Sequence, residues 1–210
     1  MRIFVITVLS VGIVAPLIQA RPVSYPGGVT LMLMSDSERH SVHVHYSPTA
    51  RISLGYRFED WRNRNFKLHA VQMNNLLKRW NKKYSQANLY LKSGLGVVNP
   101  DFNNDRELAG FTGIAVDWEN RRHFVSYENR FTQAGDVDDF YQQSARVGWA
   151  PYVGNYGDLH TWLMLDIRHM PEADDKIVVT PLLRLFKNIH LVEVGVGDNG
   201  DVTFNYIFRY

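Results

Sequence analysis

Apolar and polar residues alternate along much of this chain, and no other feature limits its fold as strongly. Every second residue from Ile52 to Phe58 is apolar, while Arg57 and Glu59 occupy positions of the opposite phase. The same period of two recurs in residues 87–97, 144–153, 159–168 and 202–210. Successive side chains of a β-strand point to opposite faces, so this period indicates strands with one apolar and one polar face. We therefore predict an all-β chain.

Two all-β architectures are compatible with this alternation. A soluble β-sandwich buries its apolar face and turns its charged face to water. A transmembrane β-barrel turns its apolar face to lipid and its polar face to the lumen. The alternation by itself does not separate these two folds, so the loops and the two ends of the chain have to decide between them.

The connections between the segments fall alternately into a longer and a shorter set. The longer set is rich in Asp, Asn and Glu and comprises residues 35–40, 60–65, 99–110, 132–143, 170–175 and 197–201. The shorter set comprises residues 47–49, 81–83, 120–121, 154–158 and 186–188. Transmembrane barrels have short turns at one end and longer loops at the other. The pattern predicts a closed, antiparallel, up-and-down barrel of about twelve strands, or ten if the first hairpin is irregular.

The first twenty residues read as a secretory signal peptide. Arg2 gives a positive start, residues 3–18 are almost wholly apolar, and Ala20 is a small residue at the expected cleavage point. A membrane anchor is the weaker alternative, because the apolar run is short for a membrane span and Pro16 interrupts it. The expected organisation is a signal peptide at residues 1–20 and a single barrel domain at residues 21–210.

The chain ends in an amphipathic segment whose last residue is aromatic. Phe204, Tyr206, Phe208 and Tyr210 share one face, and Asn205 lies on the other. This segment resembles the C-terminal strand of bacterial outer-membrane β-barrels, in which the alternating apolar positions and the final aromatic residue act as an assembly signal. The resemblance implies a porin-like protein in the outer membrane of a Gram-negative bacterium. Its expected partners are outer-membrane lipid, periplasmic chaperones and the barrel-assembly machinery.

Composition excludes several classes of function. The chain contains no cysteine, which rules out disulfides, thiolate metal sites and a cysteine nucleophile. Lys and Arg number 23 against 21 Asp and Glu, so nothing indicates a nucleic-acid partner. The sequence also lacks a Gly-rich phosphate loop and a nucleotide fingerprint. The expected function is non-enzymatic: an envelope protein that binds or passes a small polar solute or a metal ion.

Methionine and histidine pairs in the first hairpin suggest which metal ion that would be. Met32 and Met34 share one strand face, and His43 and His45 share a face of the returning strand. If the apolar faces of the two strands coincide, a Met lies opposite His43 with Cβ atoms about 5 Å apart. Thioethers suit Cu(I), and imidazole suits copper, zinc or nickel, so copper is the sharper hypothesis. Lumenal packing explains the same residues. Further candidate ligands on the lumenal phase are His69, His160 and Met164.

Two alternative functions remain open at this point. His45 and Ser47 have the His-x-Ser spacing found in outer-membrane lipid hydrolases, a resemblance that implies an activated serine with a third residue orienting the histidine. Pro48 departs from the longer motifs of those families, and sequence does not choose between Glu59 and Asn74 as the third residue. The second alternative is a soluble periplasmic β-barrel that binds an apolar ligand.

Many charged residues also have the lumenal phase, where ladders of opposite charge are expected to fill and rigidify the barrel. They are Arg57, Glu59, Lys67, Lys92, Asp117, Glu119, Glu128, Arg130, Arg146, Asp166, Arg168, Arg184 and Glu193. Residues 73–83 break the alternation, which predicts either a β-bulge or a lumenal turn that partly plugs the barrel.

Overall fold

The structure is a computed structural model that describes residues 22–102 and 105–210. These residues form a closed antiparallel barrel of twelve strands, which confirms the predicted fold and strand number. The expected signal peptide at residues 1–20 lies outside the described residues. The strands are β1 (Val29–Ser35), β2 (Arg39–Tyr46), β3 (Ile52–Trp61), β4 (Phe66–Asn81), β5 (Ser85–Pro100), β6 (Glu107–Asn120), β7 (His123–Ala134), β8 (Asp138–Trp149), β9 (His160–His169), β10 (Ile177–Lys187), β11 (His190–Val196) and β12 (Val202–Arg209).

Each strand pairs with its neighbours in sequence, and pairing of β1 with β12 closes the barrel. Thr30 is paired with Arg209 and Met34 with Asn205 across this seam. We call the end where β1 begins and β12 finishes the terminal end, and the opposite end the far end. Between β3 and β4, residues Arg62–Arg64 form one short 3-10 turn, which Asn65 ends in the left-handed conformation. No helix in the part of the chain that the structure describes is long and apolar enough to cross a membrane.

In the strands with clear alternation, the side chains predicted to point into the lumen do so, and those predicted to point outward lie on the outer wall. On β3, Ser53, Arg57 and Glu59 are buried in the lumen, whereas Leu54 and Tyr56 are exposed on the outer wall. The period of two therefore assigns the faces correctly in this strand, because each side chain needs either the polar lumen or the apolar exterior.

The expected difference in loop length between the two ends is present only in part. The connections lie at the predicted ends, but residues 150–159 form a long connection at the terminal end, where short turns were expected. At the far end, β7 continues to Ala134 and β8 starts at Asp138, so most of residues 132–143 belong to strands. The far-end connections are shorter than predicted because polar residues inside a tall hairpin look like loop residues in the sequence.

Strand length varies widely around the wall. β4 and β5 have 16 residues each, whereas β1 and β11 have 7. The β4–β5 register shifts between Leu76 and Lys78. Of the two predictions for residues 73–83, the structure shows the bulge. Leu76 consequently points into the lumen and Leu77 points outward.

Candidate functional site

An apolar cluster fills the lumen near the far end. It is built from the last residue of β3, the first residues of β4 and the neighbouring strand ends, where side chains turn inward under the far-end connections. Its buried members are Trp61, Phe66, Leu68, Ala70, Val98, Ala109, Phe111, Ala134, Phe140 and Met170. The ring centroids of Trp61 and Phe140 lie 4.7 Å apart in an edge-on arrangement. Apolar side chains therefore narrow the lumen at this end.

Residues 22–24 enter the barrel at the terminal end. The carbonyl oxygen of Pro22 accepts hydrogen bonds from Ser53 Oγ at 2.8 Å and from Asn74 Nδ2 at 3.5 Å. Val23 is buried in a cluster whose other members are Leu76, Tyr90 and Ala115. A second apolar cluster near this end contains Phe124, Ala150, Trp162, Met164 and Leu182. The N-terminal segment and these two clusters narrow the lumen at the terminal end.

Between the apolar ends lies a cavity of about 250 Å³, and most of the residues that border it are polar or charged. Seven cationic side chains line it: Arg39, Arg57, Lys92, Arg130, Arg146, Arg168 and Arg184. Six carboxylates line it as well: Asp36, Glu38, Asp117, Glu128, Asp166 and Glu193. The two signs nearly balance, so the cavity is highly polar without a large net charge.

A buried carboxylate, Glu59, organises the first ion-pair cluster. Arg130 donates two hydrogen bonds to it, at 2.8 and 2.5 Å, in a bidentate arrangement. Arg39 donates a third at 2.9 Å, and Trp61 Nε1 a fourth at 3.0 Å. Arg57 lies 3.5 Å away. Because several charged partners satisfy both oxygens, Glu59 can remain ionised although its side chain is fully buried.

Glu193 organises a second ion-pair cluster on the other side of the barrel. Arg184 Nε donates to it at 2.6 Å, Arg146 Nη1 at 3.1 Å and Asn205 Nδ2 at 2.8 Å. Arg146 also donates to Asp166 at 2.9 Å. These contacts link β8, β9, β10, β11 and β12 through side chains as well as through the backbone ladder.

Two further ion pairs complete the polar layer of the lumen. Lys92 Nζ lies 2.6 Å from Glu128 Oε2. Arg168 on β9 reaches Asp36 in the β1–β2 turn, with Nη1 and Oδ2 2.9 Å apart. The second pair joins strands that are not neighbours, so it crosses the lumen.

The structure brings four of the predicted metal ligands onto one lumenal face. Met32 is paired with His43 across the first hairpin, and Met34 with Ser41. The imidazole centroids of His43 and His45 lie 4.7 Å apart. Nε2 of His43 and both ring nitrogens of His45 are buried without a hydrogen-bond partner among the described residues. The predicted juxtaposition is therefore present.

The other three predicted ligands are not part of this group. His69 points outward, where its Nδ1 is 2.7 Å from the Tyr56 hydroxyl; its assignment to the lumen was wrong. Phe66 and Leu68 turn inward at the start of β4, so the intervening odd positions face out. Met164 packs in the apolar cluster with Phe124. His160 lies at the first position of β9, beside Phe186.

The geometry does not support the hydrolase alternative. Ser47 is fully buried, and its Oγ accepts a hydrogen bond from the Ser24 backbone N at 3.0 Å. Both ring nitrogens of His45 lack a partner among the described residues, so the serine–histidine hydrogen bond of an activated nucleophile is not formed.

Most of the charged residues predicted to be lumenal do point into the lumen, but Lys67 does not. It lies on the outward phase of β4 and pairs with Asp101 near the far end. Sequence reasoning also missed the inward-pointing Trp61, although it has the same phase as Arg57 and Glu59 in β3. The lumenal position of Pro22 carries no comparable sequence signal.

In the described residues, no group of three or more His, Cys, Asp or Glu side chains is arranged to hold a metal ion. A metal site in the lumen would therefore depend on the methionine sulfurs as well as on the imidazoles.

No protein-family model matches the chain, and no curated protein matches it significantly. Solved structures of porins do resemble it. The KdgM porin in complex with disordered oligogalacturonate has a TM-score of 0.50 and 9% identity, over 87% of this chain and 98% of the porin. A further KdgM porin structure has a TM-score of 0.47 and 9% identity, over 87% and 98% of the two chains. OccAB4 of Acinetobacter baumannii has a TM-score of 0.42 and 10% identity, over 82% and 53%. The described residues thus share the fold of outer-membrane β-barrel porins, and the similarity extends to the fold alone.

Proposed function

We propose that this protein is a non-enzymatic outer-membrane barrel that passes a small polar solute through its lumen. The observation that carries the proposal is the polar cavity of about 250 Å³ enclosed by the twelve-stranded wall. Its paired charges offer both donors and acceptors to a hydrated solute, while the apolar clusters at the two ends limit the solute's size. The KdgM porin that shares the fold is known in complex with disordered oligogalacturonate.

Solute passage can be tested in planar lipid bilayers and in liposome-swelling assays. Thr203 lines the cavity, while its neighbour Phe204 is exposed on the outer wall. We expect Thr203→Trp to reduce conductance and swelling several-fold, because the indole occupies the lumen. Phe204→Trp should leave both unchanged, since it replaces one lipid-facing aromatic residue with another. Absence of conductance and swelling in the unmodified barrel would contradict the proposal.

The outer membrane is the proposed location, reached after removal of residues 1–20. Insertion is expected to require periplasmic chaperones and the barrel-assembly machinery, because strands whose edges are still open cannot satisfy their backbone groups in lipid. Recovery of the folded chain in the soluble periplasmic fraction, without detergent and without a heat-dependent gel shift, would contradict this location and would favour the soluble alternative.

A soft metal ion is the second candidate solute, with Cu(I) as the specific proposal. The supporting observation is the pair of buried imidazoles, whose ring nitrogens lack partners, next to two methionines. Imidazole and thioether ligands are neutral, and Arg57 lies directly opposite His43 in the ladder. A monovalent ion is repelled by this cation half as strongly as a divalent ion, so Cu(I) is favoured over Cu(II) or Zn²⁺.

Metal binding can be measured by competition with a chromophoric Cu(I) chelator under reducing conditions. We expect His43→Asn and Met32→Leu each to weaken Cu(I) binding at least tenfold. Met73→Leu is the matched control, because Met73 is exposed on the outer wall. Equal affinities for all four proteins would exclude the site and leave lumenal packing as the role of these residues.

A further inference from the structure

One region of the outer wall is polar at mid-height. Ser93 on β5, Thr112 on β6, Asn129 on β7 and Gln143 on β8 all have the outward phase, and each lies near the middle of its strand. We call these residues, with Tyr127 and Tyr141, the outer polar face. It occupies four consecutive strands of the barrel.

The side chains of the outer polar face hydrogen-bond to one another and to the wall. Ser93 Oγ and Thr112 Oγ1 are 3.1 Å apart. The Tyr127 hydroxyl donates to Gln143 Oε1 at 2.7 Å. Asn129 Oδ1 accepts from the backbone N of Ile114 at 3.0 Å. These bonds hold the polar groups at the surface in fixed positions.

On other strands, the outward residues at mid-strand are apolar. Outward residues near the middle of their strands are apolar on β1, β2, β10 and β11, and they include the exposed Leu33, Val44, Leu183 and Val194. That composition is the one expected for a lipid-facing surface. The outer polar face is therefore a local departure from a wall that otherwise suits lipid.

Gly110, beside the outer polar face, independently indicates that another molecule approaches the wall here. A Cβ added to Gly110 would meet nothing closer than the Gly94 carbonyl oxygen at 3.4 Å. At Gly55, Gly96 and Gly113, by contrast, a Cβ would collide with the backbone of the neighbouring strand. This barrel itself has room for a side chain at position 110. When no neighbouring atom of the same barrel requires a glycine in a strand, the glycine can allow another backbone to approach closely from outside.

We propose that the outer polar face is an interface with a second copy of this chain in the membrane. The inference rests on the proposed membrane location, because only a lipid environment makes exposed amides and hydroxyls unfavourable. The hydrogen bonds within the face use only part of the donor and acceptor capacity of these side chains, and the unused part is unfavourable in hydrocarbon. Membrane-embedded surfaces that carry polar residues associate because contact between two of them removes the polar groups from hydrocarbon. Small residues let the two surfaces approach closely.

Several features favour a copy of the chain over another occupant. Asn, Gln, Thr, Ser and Tyr side chains each donate and accept hydrogen bonds, so the face is complementary to itself across a two-fold axis. The named residues of the face carry no charge, whereas recognition of an anionic lipid headgroup would require Lys or Arg. Gly110 and Thr112 are also small enough to let two walls approach closely.

Cysteine crosslinking tests the interface directly, because the chain contains no cysteine of its own. Purified barrels carrying Thr112→Cys are reconstituted into phospholipid vesicles and mildly oxidised. We expect most of this protein to form a disulfide-linked dimer. Val194→Cys, exposed on β11 on the other side of the barrel, is the matched control and should remain monomeric. No dimer from Thr112→Cys, or equal amounts from both variants, would overturn the proposal.

A second pair of substitutions separates the interface from folding. Gln143→Leu combined with Thr112→Val removes polar groups and keeps the side-chain volumes similar. Crosslinking is monitored through Ala145→Cys, since Ala145 is exposed on β8. With this change alone the barrel should form the dimer, and with all three changes it should lose the dimer while retaining its heat-dependent gel shift. Persistence of the dimer would overturn the inference. Conductance is measured on the oxidised Thr112→Cys sample: a barrel that conducts but is not crosslinked contradicts the dimer alone, and a crosslinked dimer that does not conduct contradicts the channel alone.

Discussion

The single carboxylate of Glu59 contacts several side chains in the lumen. One carboxylate receives hydrogen bonds from Arg39, Arg130 and Trp61, while Arg57 lies close by. The three guanidinium groups would repel one another in the low-dielectric interior if the carboxylate were absent. This asymmetry makes the anion the critical member of the cluster, because its loss leaves several buried cations uncompensated.

Glu59→Gln should therefore destabilise the barrel strongly. Breaking a buried ion pair by removing one partner costs about 3–5 kcal/mol, and here three cations lose the same partner. The measurement is the temperature at which the folded, fast-migrating band disappears on a gel, or thermal circular dichroism in micelles. Glu128→Gln is the control, since its pair with Lys92 is partly exposed and its loss should have a much smaller effect. Equal melting temperatures for both variants would refute the central role of Glu59.

Sequence alternation predicts which way a side chain points only in strands whose polar residues face the lumen and whose apolar residues face the exterior. Arg57, Glu59, Met32 and His43 were placed correctly because polar residues face the lumen in their strands. His69 was misplaced because β4 begins with apolar residues that enter the far-end cluster. An apolar residue in the lumen and an apolar residue facing lipid give the same sequence pattern, so the phase of such a strand cannot be read from polarity.

Residues 22–24 occupy part of the lumen at the terminal end. Val23 packs against Leu76, Tyr90 and Ala115, and Pro22 is held by two side chains of the wall. Val23→Asp would place a carboxylate in this apolar cluster, where an unpaired charge costs several kcal/mol. We expect the segment to leave the lumen and single-channel conductance to rise.

Tyr25→Asp is the matched control for this prediction. Tyr25 directly follows residues 22–24 and is 56% exposed, so the new carboxylate stays in water. Its conductance should equal that of the unmodified protein. If Val23→Asp conducts no better than Tyr25→Asp, the segment does not restrict the pathway.

Element boundaries were harder to predict than faces, for a physical reason. Residues 99–110 and 132–143 contain Asn, Asp and Gly and were assigned to loops, yet β5, β6, β7 and β8 extend into them. Strands that rise beyond the apolar band of a membrane barrel need no apolar residues, so their composition approaches that of loops. The lumenal position of residues 22–24 left no signal either, because their contacts depend on side chains far away in the sequence.

Closure of the barrel depends on the seam between β1 and β12. Leu31 is paired with Phe208, and both have the outward phase. A double variant with Leu31→Cys and Phe208→Cys should form an intramolecular disulfide in the folded barrel, since directly opposed strand residues have Cα atoms about 4.5–5.5 Å apart. Altered migration of the unfolded, unreduced chain on a gel reports the resulting loop.

The control combines Leu31→Cys with Phe204→Cys, which the register does not pair. It should give little or no intramolecular disulfide. Equal crosslinking of both pairs would mean that β12 slides along β1, and crosslinking of neither would mean that the barrel is not closed in this register.

The unequal strand lengths have a consequence for the surrounding bilayer. Seven-residue β1, tilted by about 45°, spans only about 17 Å along the membrane normal, whereas sixteen-residue β5 spans about 38 Å. The apolar band of such barrels is about 25 Å tall. Lipid beside β11, β12 and β1 must therefore compress, or the barrel must tilt toward that side. A pair of copies joined through β5–β8 would resist such tilting and would carry a strip of thinned membrane along each outer flank.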